Sequence, residues 1–233
     1  MTRAQAIADG LAQVRARIAA AERAAGRAPG SVRLLAVSKK MTADDVRAAL
    51  RAGQRDLGEN YAQELASKLA ALAADPAAAP VRWHFIGRLQ RNKVKLVAGR
   101  VALVHAVDTL ELAEELARRA GGAVQPILLA VNLAGEDTKG GVTGETAPAV
   151  ARALAAVTGC SLDGLMTMPP PADDAAASRP YFDQLRALRD RLQDELGRPL
   201  PILSMGMSHD FEVAIACGAT HVRVGTAIFG SRG

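Results

Sequence analysis

Apolar residues in this chain come in two alternating textures: short unbroken runs, and longer stretches in which they recur at helical spacing. The unbroken runs are Leu34 to Ser38, Asp56 to Glu59, Trp83 to Gly87, Ala102 to Val107, Gln125 to Asn132, Leu162 to Met166, Ile202 to Met205 and His221 to Val224. Unbroken apolar strands are covered on both faces, as in a parallel sheet, whereas a half-exposed strand would alternate. Helical spacing fills the gaps, from about Ala43, from about Tyr61, near Asn92 to Ala98, over Leu110 to Arg119 and near Thr146 to Ala156. An Ala-rich, Arg-studded segment from Thr2 to Ala25 precedes the first strand and ends at the helix-stop signals Gly26 and Pro29.

Eight strands separated by helical segments predict a single (β/α)8 TIM barrel over residues 1–233, with residues 1–28 as an extra N-terminal helix packed on it. Such barrels typically need ~250 residues, which leaves little for a second domain. A doubly wound sheet would call for fewer strands and a Gly-rich first turn, and Val37-Ser38-Lys39-Lys40 contains no GxGxxG. The one linker-like stretch, Pro169-Pro170-Pro171-Ala172, is a loop after the sixth strand.

Composition narrows the function. Residues are 49% hydrophobic but only 3% aromatic, so the core is built from Ala, Val, Leu and Ile, and a base-stacking surface for single-stranded nucleic acid is not expected. The net charge of +5 is spread over faces where basic residues interleave with Asp and Glu, the pattern of a solvated surface. Arg88 to Lys95 is the densest basic stretch and could face either a phosphate or water. Cys160 and Cys217 lie far apart, with no CxxC spacing, and indicate neither a disulfide framework nor a zinc site. No leader opens the chain and no apolar run reaches the ~20 residues that span a bilayer, so a cytoplasmic protein is expected.

A barrel places its active site at the C-terminal ends of the strands. Lys39 follows strand one, Glu59 and Asn60 strand two, Ser204-Met205-Gly206-Met207-Ser208 strand seven, and Gly225-Thr226 strand eight, while Asn132 ends strand five. Lys39 is either one of a pair of surface lysines or a chemical amine. Beside apolar walls a lysine's pKa falls from ~10.4, and a neutral amine can hold a carbonyl as a Schiff base. Ser204, Gly206, Ser208, Gly225 and Thr226 supply hydroxyls and small residues that let backbone N–H groups approach an anion, and barrels often bind phosphate with the loops after strands seven and eight. A phosphate grip near a Schiff-base amine describes pyridoxal 5′-phosphate.

Five motifs, in order, carry a resemblance. Ala36-Val37-Ser38-Lys39, Gly58-Glu59-Asn60-Tyr61-Ala62-Gln63-Glu64, Trp83-His84-Phe85-Ile86-Gly87 with Leu89-Gln90-Arg91-Asn92-Lys93, Leu203 to Ser208, and Val222 to Gly230 closely resemble the pyridoxal phosphate homeostasis protein family from about Val32 to the C-terminus. The resemblance implies a barrel similar to the N-terminal domain of alanine racemase, with Lys39 as the Schiff-base lysine. It implies Gly225, Thr226 and Ser204 at the phosphate, and Arg223 facing the pyridine nitrogen. Asn60, His84, Met205 and Ser208 complete the candidate cofactor-binding set, although His84 reads equally well as a packed strand histidine. His209 stands where an acidic residue is frequent in the family, with Asp210 next to it.

Arginine does not give up its proton in a protein, so Arg223 can only donate to an unprotonated ring nitrogen, leaving the ring a poorer electron sink. In the racemases the base opposite the lysine is a tyrosine from a second domain of the partner chain, and no second domain is expected before this chain ends at Gly233. Tyr61, which begins a helix, and Tyr181, on the outer ring, are no obvious substitutes. The first hypothesis is therefore a monomeric, non-enzymatic carrier of pyridoxal phosphate that limits the free aldehyde and serves pyridoxal-phosphate-dependent apoenzymes, with no nucleic-acid or membrane partner. The alternatives are a racemase-like enzyme, and a barrel that uses Lys39 on a sugar-phosphate carbonyl.

Overall fold

The structure, a computed structural model, describes residues 1–78, 81–136 and 140–230, so Gly233 lies outside the described residues. Its strands are β1 (Arg33–Val37), β2 (Asp56–Glu59), β3 (Arg82–Phe85), β4 (Leu103–Val107), β5 (Gln125–Ala130), β6 (Cys160–Met166), β7 (Ile202–Met207) and β8 (His221–Val224). They pair in parallel in chain order and close into a barrel through β8 and β1. The α-helices are α1 (Arg3–Ala24), α2 (Ala43–Arg51), α3 (Ala62–Leu72), α4 (Leu110–Arg119), α5 (Ala147–Ala155), α6 (Arg179–Leu196), α7 (Phe211–Ala216) and α8 (Thr226–Phe229).

Several boundaries differ from the sequence reading. The helix expected near Asn92 to Ala98 is a 3-10 helix over Arg91–Leu96. Its buried anchors Val94 and Val97 are three residues apart, the period of the tighter helix. β5 stops at Ala130, because Asn132 leaves the barrel ladder and donates its N–H to the Val142 carbonyl. β7 runs on to Met207, with a register shift against β8 between Ser204 and Met207.

Side chains alternate across each strand, and the two faces bury different material. Outward residues such as Leu34, Ala36, Leu57, Phe85, Leu203, Met205, Val222 and Val224 join one large apolar cluster with the helices. The inside holds two small apolar clusters, one with Leu35, Val37 and Ile86 and one with Leu103, Leu128, Ala130 and Met166. Between them lie buried polar residues: Asp56, His84, His105, Ser204, His221 and Arg223.

The N-terminal helix completes the outer layer. α8 is a single turn, too short to cover β8, and α1 lies so close across it that a Cβ at Gly10 would stand 2.8 Å from the Ile228 carbonyl oxygen. Arg17 sits 4.5 Å from the Phe211 ring of α7. Arg3 ties the start of α1 to two other elements, with Nε donating to Asp45 of α2 (2.8 Å) and Nη1 to the Phe229 carbonyl (2.7 Å).

Candidate functional site

At the C-terminal ends of the strands a cavity of about 260 Å³ opens, small beside the ~300–1,000 Å³ of most ligand pockets. Lys39, Asn60, Ser208, Arg223, Gly225 and Thr226 all contribute to its wall. Val37, Ile86 and Phe229 supply buried apolar wall, while Met168 and Met207 are exposed at the mouth.

Buried charge holds the amine side. Lys39 is the second residue of a turn closed by the Met41 N–H on the Ser38 carbonyl (3.0 Å), and Lys40 follows with φ 63°. For a non-glycine residue that left-handed conformation costs ~1–2 kcal/mol, so the surroundings must enforce it. Lys68 of α3, 4% exposed, does so from beneath. Its Nζ donates to the Ser38 carbonyl (2.6 Å), to Glu59 Oε1 (2.6 Å) and to Glu64 Oε1 (2.8 Å). Ser38 Oγ donates to the same Glu59 oxygen (2.6 Å), and Glu64 accepts the Lys40 N–H. Burial pushes the Glu59 carboxyl up, against the lowering effect of Lys68 and Ser38.

Backbone shape holds the opposite side. Gly206 has φ +89°, and a Cβ there would stand 2.6 Å from Ala214 Cβ and 2.9 Å from Phe211 Cα. Asp210 fixes the loop that carries Ser208, accepting the Met207 N–H (2.7 Å) and the Ser178 hydroxyl (2.8 Å). His209 Nε2 donates to the Asp173 carbonyl (3.0 Å) and ties the loop after β6 to the mouth of the cavity. In α8 the N–H groups of Ile228 and Phe229 turn back to the Gly225 carbonyl, so the turn itself makes no use of the Thr226 and Ala227 N–H groups.

Arg223 forms the floor. It is buried and donates from Nη1 to Ser204 Oγ (2.6 Å) and from Nη2 to the Thr167 carbonyl (2.9 Å). Burial lowers its pKa to about 10, partly offset by the Asp210 charge, so it stays protonated at neutral pH. On the amine side, directly after β2, the Asn60 side-chain oxygen is buried with no hydrogen-bond partner among the described residues.

Three of the nine expected residues do not reach the cavity wall. Ser204 lies under Arg223, on the inner face of β7. Met205 alternates to the outer face and is fully buried against the helices. His84 points into the barrel below, bonded to Asp56 and His105. Arg88, Arg91 and Lys93 line a separate groove with Tyr61 and Gln63, and among the described residues Asn60 alone is shared with the cavity wall. Lys68 and the Thr167 carbonyl escaped the sequence reading; the only sequence signal for Lys68 was its i,i+4 spacing from Glu64.

The set fits a small ligand that carries an aldehyde, an anion and a ring acceptor: an amine, unused N–H groups beside small residues, and a guanidinium aimed from the floor. Comparison with known proteins agrees. The family model for the alanine racemase N-terminal domain matches residues 10–233. The chain belongs to the alanine racemase N-terminal domain family. Within it, the pyridoxal phosphate homeostasis protein of Aquifex aeolicus is 45% identical over 224 residues, covering 95% of this chain and 96% of that protein. PipY of Synechococcus elongatus, solved with pyridoxal phosphate bound, is 36% identical with a TM-score of 0.84, over 96% of this chain and all of that one. The alanine racemase of Corynebacterium glutamicum shares the fold at 18% identity and a TM-score of 0.66, with 98% of this chain matching 61% of that one.

No three His, Cys, Asp or Glu side chains are grouped to hold a metal ion among the described residues. Nor is any described helix long and apolar enough to cross a membrane. Cys217 is buried and Cys160 half-buried, and burial raises both thiols to about 11, too high for a reactive thiolate at neutral pH.

Proposed function

We propose that this chain binds pyridoxal 5′-phosphate above Arg223, holds it reversibly through Lys39, and serves pyridoxal phosphate homeostasis as a carrier and not as a catalyst. The observation that carries the reading is one cavity wall that brings together Lys39, the Gly225-Thr226 turn and a buried guanidinium with no direct carboxylate partner among the described residues. The relatives named as pyridoxal phosphate homeostasis proteins and the ligand of PipY support it. When bound, the cofactor supplies an aldehyde that an amine can hold reversibly and a ring that can withdraw electrons.

Each residue then has a task. Lys39 presents its amine from a turn that Lys68 braces. Ser208, Thr226 and the first N–H groups of α8 receive the phosphate. Asn60 offers its unpartnered oxygen to a ligand hydroxyl. Arg223, always a donor, keeps a proton off the ring nitrogen and so weakens its electron withdrawal.

The carrier reading also draws on what the wall contains. Among the described residues its titratable side chains are Lys39, His209 and Arg223. His209 is exposed and tied to the Asp173 carbonyl. Tyr61 lines the neighbouring groove, and Tyr181 sits on α6. A racemase-like enzyme would need a second proton donor opposite Lys39. Incubating the loaded protein with single-enantiomer amino acids separates the two: no turnover is expected, and robust turnover lost in Lys39→Ala would overturn the carrier reading. Release to apoenzymes is tested by mixing loaded protein with a pyridoxal-phosphate-dependent apoenzyme beside an equal amount of free cofactor.

A further inference from the structure

Below the cavity floor the barrel carries an unbroken chain of side-chain hydrogen bonds. Arg223 Nη1 lies 2.6 Å from Ser204 Oγ, which lies 2.8 Å from His105 Nδ1. His105 Nε2 is 3.1 Å from His84 Nδ1, and His84 Nε2 is 3.0 Å from Asp56 Oδ1. Residues of β8, β7, β4, β3 and β2 thus form one line across the inside of the barrel, and all are buried.

The two ends fix the direction of every link. Arginine only donates, and an ionised carboxylate only accepts. From the Asp56 end, His84 must donate through Nε2, so its neutral ring accepts at Nδ1 from His105 Nε2–H. His105 then accepts at Nδ1 from the Ser204 hydroxyl, whose lone pair takes the Arg223 proton donor. Starting from Arg223 gives a set compatible with the same tautomers. Protonating His84 would reverse the His84–His105 link and turn His105 into a donor toward Ser204, leaving the serine proton without this acceptor.

We propose that this chain is a positioning relay: anchored on Asp56, His84, His105 and Ser204 hold the Arg223 guanidinium in one orientation under the bound ligand. A buried cation without a paired carboxylate is costly, and aligned hydroxyl and imidazole dipoles offset that cost over a distance no direct ion pair spans. Asp210, whose charge also acts on Arg223, has its two oxygens engaged by the Met207 N–H and the Ser178 hydroxyl. Arg82 Nε (2.8 Å) and Arg33 (3.4 Å) meet the same Asp56 Oδ1 that His84 bonds, while Arg82 Nη2 takes Oδ2, and together they keep the carboxylate ionised. His221 faces both imidazoles, with ring centroids 6.2 and 6.3 Å away, and bonds Thr220 and not the chain. Burial lowers the pKa of His84 despite Asp56, and that of His105 well below its usual value, which keeps both rings neutral.

The functional half of this proposal rests on Arg223 facing the cofactor; the geometric half does not, and the tests divide accordingly. In the unmodified protein without added ligand, nitrogen-detected histidine NMR is expected to show His84 and His105 as neutral Nε2–H tautomers at pH 7. An Nδ1–H tautomer at His105 overturns the chain whatever the protein binds. A double-mutant cycle then reads the coupling through pyridoxal phosphate affinity and the absorbance of the bound chromophore. Ser204→Ala and Asp56→Asn, at opposite ends, are each expected to weaken binding roughly tenfold, and the double variant by little more than either alone. Independent effects, multiplying to roughly a hundredfold, would show two unconnected structural sites and refute the relay.

Discussion

The two walls of the cavity are held in opposite ways. On the β1–β2 side, the turn that carries Lys39 is braced by a buried lysine shared among two carboxylates and a backbone carbonyl. On the β7–β8 side, the loop that carries Ser208 and the Gly225-Thr226 turn are shaped by a positive-φ glycine, an Asp210 turn and close backbone packing. The contrast matches the ligand chemistry proposed for each side. An amine that must approach and leave a carbon is carried on a turn anchored by charge, whereas a phosphate is met by N–H groups whose direction only the backbone can set.

If charge anchors the amine wall, Lys68→Met should have the largest effect, about 3–5 kcal/mol in urea unfolding, because it leaves Glu59 buried without its cation. A loss below ~1 kcal/mol would mean that the network does not hold this wall. Gly206→Ala tests the other side. Its Cβ has no room and its φ is strained, so a loss of about 2–3 kcal/mol is expected, with weaker phosphate retention and an intact amine.

Acid probes the floor that both walls share. Burial lowers His221 to about 3, so the unfolded chain binds a proton that the native one refuses between pH ~6.5 and 3. Stability is therefore full above pH ~6.5 and falls with decreasing pH, by about 1.4 kcal/mol per unit for each such histidine. Burial alone would raise Asp56, yet bonds from His84 and Arg82 hold it well below the usual carboxylate range, and its contribution is lost in the same direction at still lower pH. His221→Gln should flatten the slope between pH 6.5 and 4; an unchanged slope would place the acid sensitivity elsewhere. The smallest effect belongs to Lys40→Gly, which relieves the positive φ at the cost of chain entropy. A net gain below ~1 kcal/mol is expected, with Lys39 chemistry unchanged, and a net loss would show that the Lys40 side chain supports the turn.

Much of this was legible along the chain. Unbroken runs such as Leu34–Val37 announced a covered parallel sheet, and the barrel then put Lys39, Asn60, Ser208, Gly225 and Thr226 at one rim. The floor was not legible, because a strand buried on both faces shows no alternation to say which way it points. Met205 was therefore expected at the cofactor, whereas it faces the helices, and His84 was left open between a cofactor contact and a packed strand histidine, whereas it bonds inside the barrel below the cavity. Nor could the relay be read, since Ser204 and His105 meet only when β4 and β7 face each other across the closed barrel. Lys68 resembled any solvated helix lysine until α3 covered Glu59.

The central claim is that Lys39 carries the cofactor. The most direct measurement is mass spectrometry of peptides from protein loaded with pyridoxal phosphate and reduced with borohydride. A single adduct on the peptide containing Lys39, absent in Lys39→Ala, is the expected result. An adduct on Lys40, Lys68 or the lysines of the Arg88 to Lys95 stretch, with Lys39 unmodified, would contradict it.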